Sequence, residues 1–168
     1  MSFPAFLQAI QAPGLRRVAQ HWNAARGPKR MPAWSDINPK DIAAELPMVW
    51  AYRYDAATGE FIGRLSGERI AEIFGRNLRG HSMREIYPAR DYDRLLARSK
   101  RLIAEPAFYH AVGVVFQHID RFGKGERIMM PLADDGVTGD GIFGATLYLA
   151  QPGAPEDDSG ETESWFGA

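Results

Sequence analysis

RLSGERIAEIFGRNLRGHSMREI, residues 64–86, is the stretch on which the reading of this chain turns. Gly67, Gly75 and Gly80 cut it into pieces too short to persist as helices in water. Its first residues continue a strand, its middle is one short helix, and its end is a second. Such pieces need a support, and strand-like runs lie on either side, 49–65 before and 108–149 after. The order of two strands, then helices, then three strands places short helices inside a sheet that both ends of the chain build.

A chain of 168 residues is long enough to bury a real core in one domain. Hydrophobic residues at 45% and charged ones at 24% exclude bulk disorder and name no partner. The net charge of −1 is unevenly spread: Glu156, Asp157, Asp158, Glu161 and Glu163 leave about +4 for the rest. With no cysteine, disulfides, thiolate metal sites, cysteine nucleophiles and cysteinyl photoadducts are excluded. The first residues, MSFPAFLQAIQAPGLRR, put their charges after the apolar part, the wrong order for a signal peptide. No run approaches the ~18 apolar residues of a membrane span. A cytoplasmic protein is expected.

After a loose start, Leu15, Val18, Ala19, Trp22 and Ala25 form one apolar stripe on a helix over 15–26, ended by Gly27-Pro28. That stripe must dock on the domain or on a second copy of the chain. Asn38 is placed to cap a short helix that begins at Pro39 and stops before Pro47. Residues 49–55 alternate, and Ala56-Ala57-Thr58-Gly59 turns them into a second strand over 60–66. The longest core helix is expected over 91–104. A long strand follows over 108–118, a turn at Phe122-Gly123-Lys124-Gly125, a strand over 127–132 and a last strand over 142–150. Beyond Pro152 the chain is too polar to fold alone, although Trp165 and Phe166 can dock.

Most motif-like features dissolve on inspection. Gly139-Asp140-Gly141-Ile142-Phe143-Gly144 matches GxGxxG, but strand formers follow it where the dinucleotide fingerprint requires a helix. His110 and His118 share a strand face but lie about 26 Å apart at ~3.3 Å per residue, so they cannot share a metal. No nucleophile elbow, P-loop or HExxH occurs, and no catalytic residue or metal ligand set is assigned. Arg90, Arg94, Arg98 and Arg101 form a stripe on the long helix, read as its solvated face or, alternatively, as a surface for nucleic acid or an acidic partner. The acidic tail is a candidate to fold back on it.

The aromatic residues are the most suggestive set. Strands and helices both supply them, and short glycine-interrupted helices over a sheet can leave a small cavity. Its candidate lining is Trp50, Tyr52, Phe74, Met83, Tyr87, Tyr92, Phe108, Phe116, Met129 and Tyr148. Methionines suit adaptable walls.

The element order from Pro47 to Gln151 resembles a PAS domain. The wording of Pro32-Ala33-Trp34-Ser35-Asp36-Ile37-Asn38-Pro39 with Leu46-Pro47, of RLSGERIAEIFGRNLRG, and of Met130-Pro131-Leu132-Ala133-Asp134-Asp135-Gly136 is closest to the bacterial single-domain PAS_5 group. The resemblance implies an α+β fold: a five-stranded antiparallel sheet with short helices on one face. It divides the chain into an N-terminal helical extension (1–46), a PAS-like domain (47–151) and an acidic, flexible tail (152–168). In PAS proteins the N-terminal helix often makes a dimer, a role that falls on Leu15, Val18 and Trp22. PAS domains are sensory or interaction modules, so the implied function is a non-enzymatic sensor that binds a small ligand and signals through a partner protein. The cofactor is left unassigned. A ligand-free homodimeric adaptor and the arginine-stripe binder are the alternatives.

Overall fold

The computed structural model describes residues 2–118, 121–149 and 161–167, with 116–118, 121 and 122 described in their backbone only. The chain opens with two helices, α1 (Phe3–Ala9) and α2 (Pro13–Arg26), and three short 3₁₀ turns between Trp34 and Met48. Strands β1 (Val49–Asp55) and β2 (Glu60–Ser66) form a hairpin. Helices α3 (Glu68–Phe74), α4 (Met83–Ile86) and α5 (Ala89–Ala104) follow. Strands β3 (Ala107–His118), β4 (Arg121–Leu132), β5 (Gly141–Tyr148) and β6 (Thr162–Gly167) complete one antiparallel sheet of order β2-β1-β5-β4-β3-β6. Among the described residues no helix is long and apolar enough to cross a membrane.

The expected architecture is corrected in its strand count. The sheet has six strands, not five, because part of the segment read as a flexible tail, Thr162–Gly167, adds to the edge of β3. Its alternation explains the pairing: Trp165 meets Tyr109 edge-on at 5.0 Å, while Phe166 reaches Phe6 on the other face. Residues 150–160 lie outside the described ones. The short helices α3–α5 lie on one face, and the N-terminal extension, α1 and α2, covers the other. Alternation along β1 sends Val49 and Ala51 to the α1–α2 side and Trp50 and Tyr52 to the α3–α5 side, and each face has its own core.

The stripe Leu15, Val18 and Trp22 docks on the chain's own sheet. All three are fully buried, Trp22 donates its indole N–H to the Pro131 carbonyl at 2.8 Å, and its ring meets Phe108 edge-on at 5.1 Å. Within one chain they are covered, and the stripe leaves no exposed face for a second copy. Beside them, α1 has only seven residues and needs tertiary support. Phe6 supplies it, stacked on Phe108 at 4.8 Å.

The Phe122–Gly125 segment is strand, not turn. Gly125 is needed for a close approach: a Cβ there would overlap the backbone of Leu147 and Tyr148 on β5. Gly123 lies opposite Phe116 where the β3–β4 register shifts. The GxGxxG match runs into β5, a strand where the dinucleotide fingerprint requires a helix.

Candidate functional site

The inner face of the sheet and helices α3–α5 enclose a cavity of ≈ 20 Å³, measured at water centres, which is room for about one or two waters. The sheet supplies Trp50 and Tyr52 from β1, Arg127 and Met129 from β4, and Thr146 and Tyr148 from β5. Opposite them stand Ile70 and Phe74 of α3, Leu78, Met83 of α4, Tyr87, and Leu95, Arg98 and Ser99 of α5.

Local chemistry holds these walls. Gly144 faces Trp50 across β1 and β5, and a Cβ at Gly144 would lie 2.6 Å from the indole Cη2, so the absent side chain is what lets the indole lie flat on the sheet. The indole N–H donates to Thr146 Oγ1 at 2.9 Å. Gly75, at φ 68°, ends α3 by turning its N–H onto Ala71 and Glu72 carbonyls. Ser82 and Glu85 cap the start of α4 reciprocally. Between these helices the loop is tied to β2, with Gly63 N–H donating to the His81 carbonyl and Gly80 N–H to that of Gly63, each at 2.9 Å.

Two buried guanidiniums give the cavity its polarity. Arg98 donates from Nη2 to Glu161 at 2.9 Å and to Glu163, and its guanidinium lies over the Tyr109 ring at 4.6 Å. Its Nη1 is buried without a hydrogen-bond partner among the described residues. Arg127 donates from Nη1 to Glu161 at 3.2 Å and from Nη2 to the Val115 carbonyl. Burial would push Arg127 down, but Glu161 and the surrounding tyrosines more than offset this and hold it above the ordinary arginine value. Burial would likewise raise Glu161, and Arg127 and Arg98 bring it below the usual carboxylate range. Burial raises Tyr52, Tyr87 and Tyr148, which keeps three neutral phenols around the void. Tyr52 Oη forms no well-aligned hydrogen bond and couples chiefly to Tyr87.

A second cavity of ≈ 50 Å³ adjoins the first, sharing Phe74, Tyr87, Leu95 and Arg127 as a wall and adding Glu161. Glu161 lines this second cavity and bonds to Arg98 and Arg127, which line the first.

Of the candidate lining residues, Trp50, Tyr52, Phe74, Met83, Tyr87, Met129 and Tyr148 surround the first cavity. Phe108 does not: it points to the opposite face, between Phe6 and Trp22, because its parity in β3 is that of His110 and not of Tyr109. Tyr92 packs in the same core but at its edge, with its hydroxyl on Glu60 and its ring under Arg84 at 4.4 Å. The Phe116 side chain lies outside the described residues. Residue-by-residue reading missed Arg98, Arg127 and Thr146. A signal existed for Arg127, which shares strand parity with Met129. Arg98 lies at i+3 from Leu95 and i−4 from Leu102, on the apolar side of α5 rather than on the solvated stripe. The described part of the tail, residues 161–167, does fold back on that stripe: Glu161 also approaches Arg94 at 4.0 Å, and Arg101 lies over the Trp165 ring at 4.2 Å.

No curated protein and no solved structure matches the chain significantly. A PAS domain family model, PAS_5, matches residues 10–147, from the α1–α2 link to β5, and leaves out α1 and β6. The match spans the five-stranded part of the sheet, the short helices over its inner face and nearly all of the cavity lining, so the chain belongs to the PAS domain family, a family of sensory and regulatory modules.

Proposed function

We propose that the chain is a non-enzymatic PAS-type module that binds a small ligand between the sheet and α3–α5 and passes its presence on through protein contacts. One observation carries this reading: Arg98 buries an unpartnered Nη1 beside a void. Leaving a charged donor unsatisfied in a plain core costs at least about 1–3 kcal/mol, which a polar ligand in the cavity would recover.

The ligand-free adaptor reading loses its proposed surface, since Leu15, Val18 and Trp22 are buried within one chain. The nucleic-acid reading loses part of its stripe, since Arg98 is buried and paired to Glu161 and Glu163.

Native mass spectrometry of the purified chain, compared with the same sample after denaturation, tests the proposal. A small mass excess that disappears on denaturation is expected. A chain of bare mass, whose melting temperature no small molecule raises, would remove the ligand from the account.

A further inference from the structure

The ligand reading can be taken to a chemical class, on the premise that the cavity is a ligand site. We infer that the ligand is a small organic monocarboxylate, and that it binds by displacing the Glu161 carboxylate from Arg98 and Arg127, which loosens β6 from the edge of β3.

Glu161 already shows what the two guanidiniums accept. Its two oxygens are divided between them, Oε2 on Arg98 at 2.9 Å and Oε1 on Arg127 at 3.2 Å. Both guanidiniums are held from other directions as well. The Val115 carbonyl fixes Arg127 and the Tyr109 ring of β3 fixes Arg98; Glu163, on β6 itself, stays with Arg98 because the strand is loosened at its start and not released. The two guanidiniums would keep their places if Glu161 left, so an incoming carboxylate finds a preorganised fork. It would also come within reach of the unpartnered Arg98 Nη1, a donor that Glu161 leaves unused.

Charge selects the valence of the ligand. With Glu161 withdrawn, two buried cations face one remaining carboxylate, Glu163, so the site carries one surplus positive charge. A monoanion neutralises it, whereas a phosphate dianion would leave a buried negative charge. The rest of the lining, Phe74, Leu78, Met83 and Met129 among it, asks for an apolar body behind the carboxylate. Withdrawal of Glu161 frees its own space in the second cavity, which shares a wall with the first, and so supplies the room the closed form lacks.

The competing carboxylate stands at the start of the one strand of the sheet that lies outside the family match. Like β2 at the opposite edge, β6 pairs on one side only, with β3, so it lacks the second ladder that holds the inner strands. Residues 10–147 carry Arg98 and Arg127, while Glu161 and Glu163, which neutralise them, come from beyond. A ligand that takes the place of Glu161 therefore changes an edge that protein partners can read.

The test uses the full chain and three probe pairs: acetate, isobutyrate and benzoate, each against its neutral amide, with inorganic phosphate alongside. Calorimetry reads binding, and amide hydrogen exchange reads residues 162–167. At least one acid is expected to bind about tenfold or more tighter than its amide, and to speed exchange in 162–167 without speeding it in β1. Glu161→Gln should tighten that acid by roughly tenfold, because the ligand no longer competes with an ionised plug. An amide that binds as well as its acid, phosphate that binds more tightly than every acid, or unchanged exchange in β6 would overturn the carboxylate inference and leave the cavity reading standing. Absence of binding by every acid overturns it too, and joined to a bare native mass it removes both. If Glu161→Gln does not fold, the wild-type acid–amide comparison and exchange decide alone.

Discussion

Trp22→Ala should lower the stability of the chain by about 3–5 kcal/mol, the range for emptying a buried aromatic site. In a chain of this length that is a fall in melting temperature of order 10 °C. Trp22 is fully enclosed between α2 and the sheet, and its loss also strips the Pro131 carbonyl of its donor, a carbonyl in a residue that has no N–H of its own to offer. Because the whole contact is internal, light scattering should give the variant the same oligomeric state as the wild type. A variant as stable as the wild type but changed in oligomeric state would mean that the α2 stripe meets a second copy after all.

The second large effect is expected at Glu126, on the same face. Its carboxylate is buried and accepts from His110 Nε2 at 2.7 Å and from the backbone N–H groups of Gln11 and Ala12 at 2.6 and 2.8 Å. It thereby fastens the α1–α2 link to β4. Glu126→Ala leaves two backbone donors and an imidazole unpaired, a cost of about 3 kcal/mol, and Glu126→Gln, which keeps one acceptor oxygen, should cost roughly half as much. The pH dependence has a definite sign. Burial would raise this carboxyl, but the hydrogen bonds from His110, Gln11 and Ala12 outweigh it and hold the folded-state value below the ordinary one. A depressed value means that the stabilisation is fully present above the unfolded-state pKa of about 4.3 and is lost as pH falls through the folded value. In urea melts the gap between wild type and Glu126→Gln should be widest near neutrality and should shrink below about pH 4. A gap that does not change with pH would show that ionised Glu126 is not what holds the helices.

Much of the fold was legible because local signals agreed with the tertiary outcome. Strands β1 and β2 have the bounds that their alternation and the Ala56–Gly59 turn indicate, and Asn38 caps the turn at Pro39. The terminal elements were not legible. α1 is too short for periodicity to show, and β6 is polar by composition, its strand character residing in pairing with β3 and in the Trp165–Phe166 alternation. Gly123 and Gly125 carry a turn signature, yet they serve close packing and a register shift within β3 and β4.

Within the candidate site the aromatic wall followed from residue type and strand parity, while the charged part did not. Arginine in a helix of mixed polarity reads as solvated. What places Arg98 inside is a carboxylate 63 positions along the chain, a pairing that no local window contains. Phe108 shows the converse error: aromatic character alone does not choose between two buried faces, and only the parity of β3 does.

The six methionines allow the most direct test of the claim that a ligand enters between the sheet and α3–α5. Met83 and Met129 line the cavity, while Met31 and Met130 lie in the core of the opposite face. In ¹³C-methyl spectra of methionine-labelled protein titrated with sodium benzoate, the Met83 and Met129 resonances should move together and saturate, with Met31 and Met130 unmoved. Saturable shifts confined to Met31 and Met130, or none at any methyl while benzoate is shown to bind, would contradict the account.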